Sequence, residues 1–225
     1  GWGYSKDFPR PDSRPFSARW KDLEASAEPE EIVTHKSVPT QILDKNEETP
    51  PALGDEDSTS RFIKELEALG GKAVRSSETD LPDQILSLLK NRESNSIVAW
   101  DEKHLPEGLI QSLKSSSITV NSSPNPAIKV GLTGAASATA ETGSILLPGG
   151  PGRSLTASLL PELHIAVLKE KDIKNTLTET LHAQDIYEAS ALALVTGPSR
   201  TADIEMALTI GVHGPKEIIV FILPG

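Results

Sequence analysis

The chain has 225 residues, no cysteine and a formal net charge of −10 at pH 7. The negative charge argues against a nucleic-acid partner, and the missing cysteine excludes disulfides, thiol nucleophiles, thiolate zinc sites and iron–sulfur ligation by this chain. No stretch approaches the roughly 18 apolar residues that span a bilayer, and the charged, proline-containing start does not resemble a secretory leader. We therefore expect a cytoplasmic protein without a membrane partner, whose cofactor is unknown and is not held by cysteine.

Residues 1–57 are expected to form an extended, proline-rich N-terminal arm and linker. Seven of the 17 prolines lie here, and apolar positions show little periodicity. The first 20 residues nevertheless contain more aromatic side chains than a solvated linker usually carries, namely Trp2, Tyr4, Phe8, Phe16 and Trp20. We expect an ordered arm that contacts its own body or a second subunit, which leaves a homo-oligomer open.

Residues 58–225 show alternating helix and strand patterns. In chain order, the first predicted elements are a helix at 62–69, a strand at 72–75, a helix after Asp80, a strand at 97–100, a helix from Pro106 and a strand at 118–120. This alternation predicts an α/β domain with a mostly parallel open sheet and helices on both faces.

Small residues dominate the segment 130–147, in which Glu141 is the single charge. Two interpretations of this carboxylate stay open. It could accept backbone amides at a turn, or it could be a catalytic or ligand-orienting group with a shifted protonation state. A strand at 144–147 is followed by a glycine-rich, phosphate-sized loop at 148–153, which matches neither the Walker nor the dinucleotide pattern.

The last part of the chain predicts an anion site. After strands at 164–168 and 191–195, with a helix at 172–182 between them, a Gly197-Pro198 turn leads into a predicted helix capped by Ser199 or Thr201 and ended by Gly211. Exposed amides, the helix dipole and Arg200 would attract phosphate or carboxylate there. In the alternative interpretation the hydroxyls merely cap the helix, while Asp203 and Glu205 offset its dipole.

A central strand is predicted at 217–223, parallel to the strand at 191–195 and in the same sheet. His213 lies between glycines in the preceding loop, where it could act as a general acid or base or donate to an anion. The five histidines show no metal-ligand spacing, so no metal site is predicted, and we expect His164 to be structural.

Two of these segments together resemble the LUD domain family. The first is AETGSILL at residues 140–147; the second is GPSRTADIE at 197–205 with GVHGP at 211–215. The chain length, the lone domain and Phe8-Pro9-Arg10 resemble the lactate utilization protein C branch. Another branch joins this domain to cysteine-rich segments, which this chain lacks.

The resemblance implies a fold like that of the group of sugar-phosphate isomerases, glucosamine-phosphate deaminases and CoA-transferases. The branch is linked to oxidation of L-lactate to pyruvate with two iron–sulfur protein partners. Residues 135–139 depart from relatives, which often carry an acidic residue and an isoleucine there; this departure concerns the floor of the expected pocket.

We therefore expect an accessory component of an L-lactate oxidation system that binds a small anionic ligand. Glu141 and His213 are the candidate catalytic residues. The candidate ligand-binding residues are Thr142, Gly143, Gly197, Ser199, Arg200, Thr201, Asp203, Glu205 and Gly214. Two alternatives remain: a stand-alone enzyme that uses Glu141 on a phosphorylated sugar or acyl-CoA, and a non-catalytic interaction module.

Overall fold

A computed structural model describes residues 57–225 except 124, 126, 183–188, 202–208 and 211–213, so the predicted arm lies outside the described residues. The helices are α1 (Ser58–Ala68), α2 (Leu81–Asn91), α3 (Leu109–Ser115), α4 (Thr156–Leu159) and α5 (Leu177–Leu181). The strands are β1 (Lys72–Arg75), β2 (Ser96–Ala99), β3 (Thr119–Asn121), β4 (Val130–Gly134), β5 (Ser137–Thr139), β6 (Ser144–Gly149), β7 (Leu163–Lys169), β8 (Ile173–Lys174), β9 (Ala191–Val195), β10 (Arg200–Thr201), β11 (Thr209–Ile210) and β12 (Glu217–Leu223).

The main sheet has six strands in the order β1-β12-β7-β4-β2-β3, and every neighbouring pair is parallel. Its central strands β7 and β12 are buried along almost their whole length. Parallel strands that are covered on both faces consist of near-continuous apolar runs, and the run EIIVFIL in β12 is of this kind. The predicted parallel sheet and its central C-terminal strand are both confirmed.

Two apolar clusters cover the two faces of this sheet. On one face, residues of α2 and α3 pack against the sheet. On the other, α1 and α4 pack together with β5, β6 and β8. Helices therefore lie on both faces, as the sequence predicts.

Local sequence explains the first helix. The Asp57 side chain accepts a hydrogen bond from the backbone N–H of Ser60 and so caps the N-terminus of α1. Phe62 and Leu66 are fully buried on its inner face. Gly70, with φ of +84°, follows the helix in a conformation that glycine adopts freely.

A second, smaller sheet has the order β8-β5-β6-β9 and was not expected. The prediction that the strand at 191–195 is buried and lies parallel to 217–223 in one sheet is wrong. Strand β9 instead pairs antiparallel with β6, with Val195 opposite Ile145, at the edge of the second sheet. Its apolar residues are partly open to solvent, and Leu192 and Leu194 are each 44% exposed. An apolar run is compatible with either position, because its composition does not specify its partner strand.

The helix predicted at 172–182 is also shorter than expected. Ile173 and Lys174 form β8, which pairs with β5, and helix α5 begins only at Leu177. Burial of Ile173 against the second sheet outweighs the helical pattern there. Within the described residues, we find no helix with the length and apolar character needed to cross a membrane.

Candidate functional site

The two motif segments meet in the second sheet. Residues 144–149 form β6, which pairs with β9 immediately before the second motif. The Ser144 and Thr196 hydroxyl oxygens lie 2.7 Å apart, and Thr142 Oγ1 donates to Ser144 Oγ at 2.8 Å. The sheet therefore brings the two motifs, distant in sequence, side by side.

Glu141 lies in the turn between β5 and β6 and is half-buried. Its carboxylate oxygen Oε1 accepts a 2.8 Å hydrogen bond from the backbone N–H of Leu177, the first residue of α5. Its own backbone N–H donates to the carbonyl of Asn175. These contacts correspond to the first of the two interpretations, a carboxylate that accepts a backbone amide and ties a turn to a helix N-terminus. A ligand-orienting role for Glu141 stays a prediction.

Gly143 is needed for close packing against α1. Its φ is +62°, and a Cβ atom at this position would lie 2.4 Å from the backbone nitrogen of Leu66. Thr142 beside it is exposed. The first motif therefore forms a tight turn on the surface of α1.

The second motif packs against the C-terminal end of the same helix. The Arg200 guanidinium donates to the backbone carbonyl of Leu69, and a Cβ atom on Gly197, where φ is +78°, would lie 3.0 Å from the Leu69 Cβ. A cation at a helix C-terminus interacts favourably with the helix dipole and with the unpaired carbonyls there. Arg200 therefore has a stabilising contact within the chain.

The predicted helix that begins at Ser199 or Thr201 is wrong at both of its ends. Arg200 and Thr201 form β10, which pairs antiparallel with β11 at Thr209 and Ile210. Without a helix N-terminus at Arg200, the dipole argument for an anion site there no longer applies. Glycine, proline and hydroxyl residues also occur in turns, and here the antiparallel pairing of β10 with β11 replaces a helix start.

Only some of the other candidate site residues of the second motif lie in the part of the chain that the structure describes. Ser199 donates its backbone N–H to the carbonyl of Pro215 at 2.9 Å, and a Cβ atom on Gly214 would lie 2.9 Å from the Cβ of Ser199. The structure brings these two residues together. Thr201 is described through its backbone alone, and Asp203, Glu205 and His213 lie outside the described residues. Their assignment as site residues stays a prediction.

None of the described candidate residues lines the pocket at the carboxyl ends of the parallel strands. This cavity of about 600 Å³ opens where β2, β4, β7 and β12 end. We call it the carboxyl-edge pocket; its lining residues are Glu78, Trp100, Lys103, His104, Leu105, Pro106, Glu107, Gly134, Ala135, Ala136, Pro148, Arg153, Val167, Lys169, Lys171, Asp172 and Leu223. Ligands of open α/β sheets bind at this edge. Knowledge of the strand order would have predicted where this pocket lies. The glycine-rich loop, which supplies Arg153, was the one part of it that the sequence had marked.

Local packing holds the pocket wall together. The backbone N–H of Asp101 donates to the carbonyl of Gly152 at 2.8 Å, and the Trp100 Nε1–H donates to the carbonyl of Ser154 at 3.0 Å. Gly152 has φ of +75°, and a Cβ atom there would lie 2.3 Å from the Asp101 carboxylate. The glycine-rich loop is therefore fixed against the segment that follows β2.

The pKa of His104 reflects the burial and the charges around this pocket. Its ring stands edge-on to Trp100, with centroids 6.4 Å apart, and its Nε2 lies 3.3 Å from the carbonyl of Pro151. Partial burial lowers the pKa of His104; the positive charges of Arg153 and Lys103 lower it further, whereas the hydrogen bond to the Pro151 carbonyl and the negative charge of Asp101 raise it by less than these effects together. The ring is therefore neutral at pH 7 in a locally positive environment.

Another histidine, His164, is fully buried in the central strand β7. Its Nε2 lies 2.9 Å from Thr133 Oγ1, whereas its Nδ1 has no hydrogen-bond partner among the described residues. Burial lowers its pKa to about 3, so the imidazole is neutral. Across the described residues, no group of three or more histidine or acidic side chains is arranged to hold a metal ion.

The parallel sheet, the helices on both faces and the carboxyl-edge pocket define an open α/β domain of the type that binds ligands at the strand ends. The chain belongs to the LUD domain family, to which residues 59–223 match. The family expected from the two motifs is therefore confirmed.

Curated relatives carry one recurring name. A lactate utilization protein C from Oceanobacillus iheyensis is 27% identical over 179 residues, which cover 71% of this chain and 77% of that protein. Another, from an Exiguobacterium strain, is 38% identical over 95 residues, which cover 40% of this chain and only 41% of that protein. The crystal structure of a DUF162 family protein from Deinococcus radiodurans superposes with a TM-score of 0.56 at 23% identity, covering 74% of this chain and 96% of that one. This similarity supports the fold.

Proposed function

We propose that this chain is a component of an L-lactate utilization system, in which L-lactate is oxidised to pyruvate, and that it binds a small anionic ligand and acts with iron–sulfur protein partners. The observation that carries the proposal is membership of the LUD family over residues 59–223 together with relatives named lactate utilization protein C. These 225 residues contain no cysteine. Thiolate ligands for an iron–sulfur cluster would therefore come from partners, and this chain would contribute binding and orientation.

The alternative in which Glu141 is the nucleophile or base of a stand-alone enzyme has less support. Its carboxylate already accepts the Leu177 N–H, and none of the described pockets includes Glu141 among its lining residues. An attacking or proton-abstracting carboxylate has to reach its substrate.

A specific observation favours a role in protein contact. Leu192 and Leu194 point to the same side of the edge strand β9 and are both substantially exposed. Exposed apolar side chains on an edge strand are suited to a partner surface. This feature is compatible with docking of iron–sulfur partners and equally with a purely non-catalytic interaction module.

Genetic complementation tests the proposal. The chain should restore growth on L-lactate to a bacterium whose own lactate utilization protein C gene has been deleted, while growth on pyruvate serves as the control. Affinity-tagged protein from the restored strain should co-purify cysteine-rich iron–sulfur proteins. Expression of folded protein without growth on L-lactate would contradict the proposed role.

A variant in which Leu192→Lys and Leu194→Lys are combined separates the interaction surface from the fold. We expect it to remain folded, because both side chains are already partly solvated, and to lose the co-purified partners. Lys90→Glu and Lys114→Glu, introduced together as surface charge changes elsewhere, form the control. Retention of the partners by the leucine variant would exclude β9 as their docking strand.

A further inference from the structure

The carboxyl-edge pocket has an excess of positive charge in an acidic chain. Four cationic and three acidic side chains line it, although the chain as a whole has a formal net charge of −10. Among the described residues, no ion pair engages the four cations Lys103, Arg153, Lys169 and Lys171. Their charges are therefore available to a ligand.

Arg153 has an unused donor inside this pocket. Its buried Nε has no hydrogen-bond partner among the described residues, although buried polar groups are normally paired. Its backbone bridges to Gly150 within the fixed glycine-rich loop, so the base of the side chain is held in place. A planar guanidinium with free donors matches the geometry of a carboxylate or phosphate.

Close backbone approach brings His104 to the same opening. A Cβ atom on Gly134, at the end of β4, would lie 2.6 Å from the His104 carbonyl oxygen. Only the missing side chain at Gly134 lets the short helical turn at Glu102–His104 reach the strand end. The same turn contacts the loop that carries Arg153, since the His104 Nε2 lies 3.3 Å from the Pro151 carbonyl, and Lys103 lines the pocket beside it.

Apolar side chains form part of the remaining wall, beside the acidic Glu78, Glu107 and Asp172. Trp100, Leu105, Val167 and Leu223 contribute carbon surface next to the charged groups. A cavity of this size is typical of small-molecule sites, in which apolar surface holds the ligand body and polar groups orient it.

We propose that the carboxyl-edge pocket binds a small organic oxyanion, whose carboxylate or phosphate contacts Arg153 and Lys103 and whose organic part lies against Trp100 and the neighbouring apolar side chains. This inference extends the ligand-binding part of the proposed function by locating it in this pocket, and it does not depend on the iron–sulfur partners.

Isothermal titration calorimetry on the full chain tests binding directly. The probes are L-lactate and pyruvate as carboxylates and glycerol 3-phosphate as a phosphate, each raised to roughly ten times a Kd of about 1 mM. Glycerol is the neutral control. Saturable heat from a carboxylate or from the phosphate identifies which oxyanion the pocket prefers. The absence of binding by all three probes would overturn the proposal.

Variants locate the bound probe. Arg153→Gln should weaken binding roughly 10- to 100-fold, the loss expected for hydrogen bonds to a charged group, and Arg153→Lys should lose less because the charge remains. Lys114→Gln, the same charge change on the exposed end of α3, should leave the Kd unchanged. Unchanged binding by a folded Arg153→Gln variant would place the anion elsewhere and overturn the proposal.

Trp100 supplies a second readout that does not depend on the stability of the arginine variants. In a chain with Trp2→Phe and Trp20→Phe, Trp100 is the sole remaining tryptophan. Its fluorescence emission should change as the probe binds, and a titration followed by this emission should give the same Kd as calorimetry. Emission that stays constant while heat shows saturable binding would also argue against this pocket. Growth on L-lactate without anion binding would overturn the pocket inference alone, whereas anion binding without restored growth would overturn the cellular role alone.

Discussion

The hydroxyl oxygens of Ser144 and Thr196 lie 2.7 Å apart, and this contact joins the first motif to the residue that precedes the second. Both motifs also pack on α1, where Gly143 approaches the Leu66 backbone and Arg200 donates to the Leu69 carbonyl. Much of the motif sequence is therefore explained by packing between the second sheet and one helix. The carboxyl-edge pocket lies among other residues.

Glu141→Gln should lower stability modestly. The glutamine retains an acceptor for the Leu177 N–H but loses the charge that strengthens this bond, so we expect a decrease of about 0.5–1.5 kcal/mol in the free energy of unfolding. Urea denaturation measures the change, and Glu67→Gln on the exposed side of α1 is the control. Loss of growth on L-lactate with unchanged stability would instead indicate a chemical role.

Gly131→Ala should be severely destabilising. Its added Cβ would lie 1.8 Å from the carbonyl oxygen of Ala157, in the helix that covers β4. The clash involves the backbone of β4 and the backbone of α4 in a packed core, and neither can move without disturbing its neighbours. We therefore expect the free energy of unfolding to fall by about 3 kcal/mol or more. Gly150→Ala is the matched control, since its Cβ would meet only the Arg153 side chain at 3.5 Å. Similar unfolding midpoints for the two variants would contradict the packing of α4 on β4.

His164 should make the protein acid-sensitive. Burial holds its folded-state pKa at about 3, below its ordinary value of 6.5, so between these pH values the unfolded chain binds the proton and the folded chain does not. This contribution to stability is complete above pH 6.5 and falls by about 1.4 kcal/mol per pH unit as the pH decreases through that window. His164→Gln should flatten the dependence of the free energy of unfolding on pH.

The control for this pH dependence is His182→Gln, which alters an exposed histidine. Denaturant titrations at several pH values between 6.5 and 4.5 compare the slopes. Equal slopes for the His164→Gln variant and the parent would show that the buried imidazole does not govern acid stability.

Arg153→Gln should raise the pKa of His104. Partial burial of the ring keeps this pKa low, and the guanidinium charge is one of the repulsive contributions that depress it further. Removing that charge relieves part of the repulsion. NMR titration of the His104 ring measures the pKa, with Lys114→Gln as the distant control. An unchanged pKa in the Arg153→Gln variant would mean that the two side chains do not share one electrostatic environment.

Several elements were predictable because their signals are local. The helix α1 has an apolar face, a capping aspartate and a terminal Gly70-Gly71, so its type and its end follow from short-range rules. Strand β12 is a continuous run of branched and aromatic residues. The motif residues Gly143 and Gly197 identified the family although their structural role was not evident.

Other features depended on contacts between distant segments. The β9 run could equally have been a central strand, and only pairing with β6 assigns it to the second sheet. Ser199 and Thr201 were compatible with a helix start, but Arg200 and Ile210 pair as antiparallel strands. The pocket residues Trp100 and His104 lie in the segment after β2, whereas Arg153 lies in the loop after β6, and no spacing in the sequence connects the two segments.

The sequence by itself determined the family, the alternating α/β pattern, the acidic charge and the lack of thiol chemistry, because composition and short motifs carry these properties. Tertiary structure decided which strands share a sheet, how Glu141 and Arg200 are engaged, and which cationic side chains gather at the carboxyl edge of the parallel sheet. The physical reason is that hydrogen-bond pairing and burial are satisfied by partners far along the chain. The local sequence of a segment predicts its secondary structure, but it does not specify which distant segment pairs with it.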